Sequence, residues 1–152
     1  ISILIFISLI GCKSGTTTTN PDPQLEMVDL INQERSAHGL PAVAHNLNLS
    51  NVAQLHSDDM VARNFLNHVN PDGDDFFARV TNAGIAYSGL GENISAGFYS
   101  MSTAHSSFMN SQAHRDNILR ANINNVGVGI SQGTSANDYG KSLYICVLFM
   151  QD

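Results

Sequence analysis

Two histidines and one glutamate stand out because each sits in a short polar stretch with no obvious turn or surface duty. His68 lies in Phe65-Leu66-Asn67-His68-Val69-Asn70-Pro71-Asp72-Gly73, and Glu92 in Gly91-Glu92-Asn93-Ile94. His114 lies in Ser111-Gln112-Ala113-His114-Arg115-Asp116-Asn117-Ile118-Leu119. Two imidazoles and a carboxylate are a competent ligand set for Zn²⁺, with a fourth position left for water or substrate. A second role open to Glu92 is to accept the N–H of one imidazole and so fix its tautomer. The histidines are far apart in the chain and no His-Glu-x-x-His occurs. A third reading therefore stays open, a hydrogen-bonded network in which Glu92 and the histidines satisfy one another. Ser111, three residues before His114, offers a nucleophile with Glu92 as orienter. Against that, Ser111 is well placed to cap a helix with its hydroxyl accepting a backbone N–H near His114, and no Gly-x-Ser-x-Gly elbow is present.

The elements that must position these residues follow from periodicity. Gln24 to His38 carries Leu25, Val28, Leu30 and Ile31 on a helical face, and Gly39-Leu40-Pro41 stops it. Asn46 caps a second helix that fades near Phe65, with Leu49, Val52, Ala53, Leu55, Met60 and Val61 as its apolar positions. A third helix is expected from Asp74 to Ala83, with Arg79 on it reading as a paired arginine rather than a ligand. A fourth starts at Ser102 or Thr103, and a short one holds His114 to Leu119. The period then changes. Asn125 to Ile130 and Leu143 to Met150 read as antiparallel strands, Glu92 to Ala96 as a third, and Leu143 to Phe149 as the central one. Gly127 and Gly129 read as close-packing positions in a strand. Helices first and strands last predict an α+β domain with helices on both faces of a small antiparallel sheet.

The N-terminal run from Ile1 closes on Leu9-Ile10-Gly11-Cys12, which reads as a bacterial lipobox. Residues 1–12 are then a lipoprotein signal segment, and Cys12 carries the lipid that holds the protein to a membrane outside the cytoplasm. The run is about half the roughly 20 apolar residues a spanning helix needs. Residues 13–23 have no apolar side chain and read as a flexible linker; residues 24–152 form one domain, expected to be monomeric. The net charge of −6 argues against nucleic acid as partner. If Cys12 carries lipid, Cys146 has no disulfide partner and reads as an inert buried thiol. His56 and His105 read as structural histidines on helices.

With Val126-Gly127-Val128-Gly129 and the pattern Ala53-Gln54-Leu55-His56-Ser57-Asp58-Asp59-Met60, the three stretches above resemble the bacterial branch of the CAP superfamily. That superfamily includes cysteine-rich secretory proteins, insect venom antigen 5 and plant pathogenesis-related proteins. The resemblance covers essentially all of residues 24–152. It implies an α-β-α sandwich with an open cleft lined by two histidines and two glutamates, some members binding a divalent cation through the histidines. By motif, His68 matches the first histidine, Glu92 the glutamate of Gly-Glu-Asn, and His114 the second histidine. Ser111 stands where the second glutamate of animal and plant members falls, and the bacterial branch often has serine there. The cleft implied is lined by His68, Glu92, Ser111 and His114, with a divalent cation such as Zn²⁺ on His68 and His114. Ligand binding in that cleft is the leading expectation. A metal-assisted hydrolase of envelope or secreted substrates, with Glu92 as general base, is the alternative from another class. A non-catalytic interaction module displaying the loop Ser131 to Gly140 to an envelope partner is a third. The chain departs from the pattern at His45 and Phe108, where relatives have an aromatic and a tryptophan, and at Val147, where they have a glutamine. His45 is expected to loosen its corner.

Overall fold

The computed structural model describes residues 22–134 and 141–152. Its elements are α1 (Pro23–Ala37), β1 (Ala44–His45), α2 (Leu47–Ala62), α3 (Phe76–Asn82), β2 (Gly89–Phe98), α4 (Met101–Asn110), α5 (Gln112–Ile118), β3 (Asn125–Thr134) and β4 (Lys141–Gln151). Cys12, the segment 1–12 and linker residues 13–21 lie outside the described residues, as does most of the loop expected after Ser131. α1 begins one residue before the expected Gln24. Asp22 caps it by accepting from the Gln24 N–H at 2.9 Å, and Pro23 fills the first turn, where a missing N–H costs nothing.

The strands form one sheet in the order β1-β3-β4-β2. β4 is central and antiparallel to both β2 and β3. The two-residue β1 adds a parallel pairing to β3 that was not expected, since Ala44-His45 is too short to show alternation. Along β4 the core divides by parity. Ile145, Val147 and Phe149 pack with Met27 and Ile31 of α1, Phe108 of α4 and Ile118 of α5. Tyr144, Cys146, Leu148 and Met150 pack on the other face with Leu49, Ala53 and Met60 of α2 and Val80 of α3. Both faces of β4 are buried, as its unbroken apolar run requires.

α2 lies directly on β3. A Cβ on Gly127 would fall 2.4 Å from the Leu49 carbonyl carbon, and one on Gly129 would fall 2.2 Å from that of Ala53. At this approach the helix's polar side chains reach the strand's backbone. Ser50 Oγ accepts from the Val128 N–H at 3.0 Å, Ser57 Oγ donates to the Gly129 carbonyl at 3.0 Å, and Gln54 bonds both backbone groups of Ile130 at 2.9 Å. Those bonds occupy backbone groups beyond the end of the short β1, a place where an uncovered strand would invite pairing with another chain.

Two further helix starts differ from expectation, and one expected cap holds its place without its expected bond. α3 begins at Phe76 because Asp75 stays outside the helix, its carboxylate accepting from the Ala78 N–H at 2.8 Å. α4 begins at Met101, capped by Ser100. Ser111 takes the cap position of α5, but its hydroxyl makes no capping bond; only its carbonyl engages, accepting from the Arg115 N–H at 2.9 Å. His45 does not loosen its corner. Its Nε2 and the Ser50 hydroxyl are 2.9 Å apart, joining β1 to α2.

Candidate functional site

β2 ends the sheet, so residues from both sheet faces meet over its free edge. The segment between α2 and α3 supplies His68, α3 supplies Phe76, and α5 with the residues after it supplies His114, Asn117 and Arg120. Together with Glu92 they line an open cleft of about 360 Å³. Alternation along β2 decides which wall each residue joins. Glu92 is in register with Leu148, which packs against α2 and α3, whereas Asn93 is in register with Val147, which packs against α1, α4 and α5.

The first wall is built on Glu92. Its side chain has no solvent exposure, while that of His68 is 46% exposed. Glu92 Oε1 accepts from His68 Nδ1 at 2.8 Å; Oε2 accepts from Arg79 Nη2 at 2.5 Å and from the Cys146 thiol at 3.3 Å. Burial alone would raise the Glu92 pKa, but the His68 hydrogen bond and the Arg79 charge outweigh it and hold the carboxyl below its ordinary value. Burial pushes the Cys146 thiol well above its ordinary pKa, and the Glu92 charge adds to this, so the thiol remains a proton donor. Arg79 Nη1 also donates to the carbonyls of His68 and Asp74, each at 2.9 Å, tying the loop to the start of α3. His56, buried on α2, holds the preceding peptide through Nε2, 3.0 Å from the Asn67 carbonyl. Burial lowers its pKa and the Arg79 charge lowers it further, so His56 is a neutral N–H donor there.

An ionised carboxylate only accepts, so Nδ1 of His68 carries the proton toward Glu92. In the neutral ring Nε2 is then left with a lone pair, on the more exposed partner of the pair.

The second wall is a chain of neutral amides ending in a cation. Asn93 Nδ2 donates to the His114 carbonyl at 3.0 Å, and Asn117 Nδ2 donates to Asn93 Oδ1 at 2.9 Å and the Glu92 carbonyl at 3.2 Å. Arg120 donates to the Leu90 carbonyl at 3.0 Å and to Asn117 Oδ1 at 2.8 Å. The His114 ring packs edge-on against Phe108, with centroids 5.1 Å apart. Burial lowers the His114 pKa, and a charge on His68 lowers it further.

The structure thus brings His68, Glu92 and His114 to one cleft, but not as an equivalent triad. Among the described residues no group of three His, Cys, Asp or Glu side chains is placed to hold a metal ion. Both Glu92 oxygens are already engaged, which leaves the two imidazoles as the donors available to a cation. The same engagement suits Glu92 to positioning rather than proton abstraction, since its side chain is fully buried and held by Arg79 and His68. Ser111 does not line the cleft. Arg79 is the paired arginine expected from the sequence, and its partner is Glu92. The sequence reading missed Arg120, whose available signal was its position three residues beyond Asn117, on the exit of the His114 helix.

The chain is 34% identical over 127 residues to the protein YkwD of Bacillus subtilis, covering 81% of this chain and 49% of YkwD. It is 28% identical over 107 residues to the membrane protein YlbC of the same organism, covering 70% of this chain and 31% of YlbC. A crystal structure of an extracellular protein containing an SCP domain from Bacillus anthracis matches with a TM-score of 0.75 at 28% identity, over 86% of this chain and 40% of that one. The chain therefore spans about half the length of YkwD and less of the other two. The family model of the cysteine-rich secretory proteins matches residues 28–149. On that match, and with helices on both faces of a small sheet edged by a His/Glu cleft, the chain belongs to the CAP family of cysteine-rich secretory proteins.

Proposed function

We propose that this is an extracytoplasmic CAP-domain protein, tethered to a bacterial membrane by lipid on Cys12, whose cleft binds a ligand together with a divalent cation on His68 and His114. The observation that carries the cleft reading is the 2.8 Å contact between His68 Nδ1 and a fully buried, Arg79-paired Glu92. A carboxylate behind one imidazole nitrogen is the arrangement that orients a metal-binding histidine and raises its basicity. Imidazole donors suit Zn²⁺, and two of them leave coordination positions for water and ligand; a cation held there would supply a point of attachment for an electron-rich ligand atom. Glu92 is better suited to hold His68 in place than to do chemistry, so binding is favoured over hydrolysis.

Calorimetric titration with Zn²⁺ tests this. The unmodified protein binds, His68→Ala and His114→Ala each lose most of the affinity, and Glu92→Gln costs roughly 10–100-fold because the imidazole loses its orienting partner. Equal affinity in all four proteins would remove the cation site. The tether is supported by Leu9-Ile10-Gly11-Cys12, by the description of YlbC as a membrane protein and by that of the Bacillus anthracis protein as extracellular. It predicts detergent-phase partitioning that is lost in Cys12→Ala; unchanged partitioning contradicts it.

A further inference from the structure

Arg120 takes no part in the proposed cation site. It lines the cleft, yet no carboxylate among the described residues pairs with it; its partners are the neutral Leu90 carbonyl and the Asn117 amide oxygen. Glu92, the acidic residue nearest in the cleft, is neutralised by Arg79. Arg63, by contrast, is paired with Asp59 and Asp72. The Arg120 pose is also built. A Cβ on Gly91 would lie 2.8 Å from Asn117 Oδ1 and 3.2 Å from Arg120 Nη2, so only glycine lets both side chains lie against β2. Two N–H groups fix the guanidinium and the rest of its fork has no protein acceptor among the described residues. Phe76, Leu90 and Ala113 supply apolar lining beside the His68, Glu92 and His114 side chains.

We infer that Arg120 is the anchor for an anionic ligand group, specifically a carboxylate carried beside an apolar side chain, as at the free C-terminus of a peptide. A guanidinium held rigid and unpaired is the donor set that recognises carboxylates through two parallel bonds, and the apolar lining takes the neighbouring side chain. The protein's net charge of −6 disfavours diffuse anion binding, so any such binding must be local. This rests on the cleft being a binding site but not on a bound cation.

The test is NMR titration of the whole chain, with EDTA present and again with Zn²⁺, using N-acetyl-L-phenylalanine, its uncharged amide and 3-phenylpropionate. The acid is expected to shift the resonances of Arg120, Asn117 and Gly91 without metal, and to bind about tenfold tighter than the amide. Arg120→Gln and Gly91→Ala should each abolish that preference; Arg120→Lys, which keeps the charge, should recover part of it. Backbone spectra of the variants confirm folding. Tighter binding of the acetylated amino acid than of 3-phenylpropionate identifies a peptide end as the source; equal binding assigns recognition to the carboxylate and ring alone. Equal affinity for acid and amide, or a preference that survives Arg120→Gln, overturns the inference. Loss of Zn²⁺ binding alone would overturn the cation reading and leave this one standing.

Discussion

The two walls of the cleft solve opposite electrostatic problems. On the α3 side a carboxylate is taken wholly out of water and stabilised by Arg79, His68 and Cys146. On the α5 side a guanidinium sits among neutral amides and a backbone carbonyl. The first arrangement spends its charges internally and yields a fixed imidazole. The second leaves a charge unspent. A closed ion pair serves positioning, whereas an open cation serves recognition, and the contrast assigns different work to residues that line one hollow.

Breaking the first wall should have the largest effect. Arg79→Met leaves the Glu92 carboxylate buried without its cation, and a loss of roughly 3–5 kcal/mol in denaturant unfolding is expected. Adding Glu92→Gln to that variant should restore much of the loss, because the stranded charge is removed. If Arg79→Met unfolds at the same denaturant concentration as the parent, the pair is not the closed unit described.

Acidification should come next. His56, His105 and His114 all have pKa values lowered chiefly by burial, so the unfolded chain takes up their protons more readily than the folded one. Their contribution is full above the ordinary value of 6.5 and is lost as pH falls below it; Glu92, also lowered, adds a further loss below its ordinary 4.5. Unfolding midpoints measured from pH 8 to pH 4 should decline through both ranges. A flat profile between pH 7 and pH 5 would show that these imidazoles are not held neutral.

Smaller changes sharpen the contrast. Cys146→Ala removes one donor to Glu92 and should cost about 1–2 kcal/mol while raising the Glu92 pKa. Arg120→Gln should change stability by less than about 1 kcal/mol, since the bonds lost go to neutral partners and no buried charge is stranded. A cost for Arg120→Gln equal to that for Arg79→Met would erase the distinction between the walls.

Much of this was legible in the sequence. The apolar run of β4 announced a strand buried on both faces, and Gly127 and Gly129 announced close packing, because only a missing Cβ admits α2 at that distance. The Gly91-Glu92-Asn93 motif marked the site, and alternation explains its three roles: Gly91 makes room for Arg120 and Asn117, Glu92 turns to His68, and Asn93 turns to the His114 segment. The identity of the partners was less legible. Nothing local to Glu92 shows that Arg79, thirteen residues earlier, reaches its carboxylate. Ser111 looked like a cap by residue type, yet its hydroxyl makes no capping bond, which residue type alone does not decide. An arginine after a short helix usually reads as surface; only the tertiary view shows that Arg120 has no acidic partner among the described residues.

The central claim is that Glu92 fixes His68 with its proton on Nδ1 and its lone pair on Nε2. Long-range ¹H–¹⁵N correlation spectra of the ¹⁵N-labelled protein at neutral pH measure this directly. The account predicts a His68 ring protonated at Nδ1 in the parent protein, reverting toward the mixture of an unconstrained imidazole in Glu92→Gln. A His68 ring carrying its proton on Nε2, or one unchanged by Glu92→Gln, would contradict it.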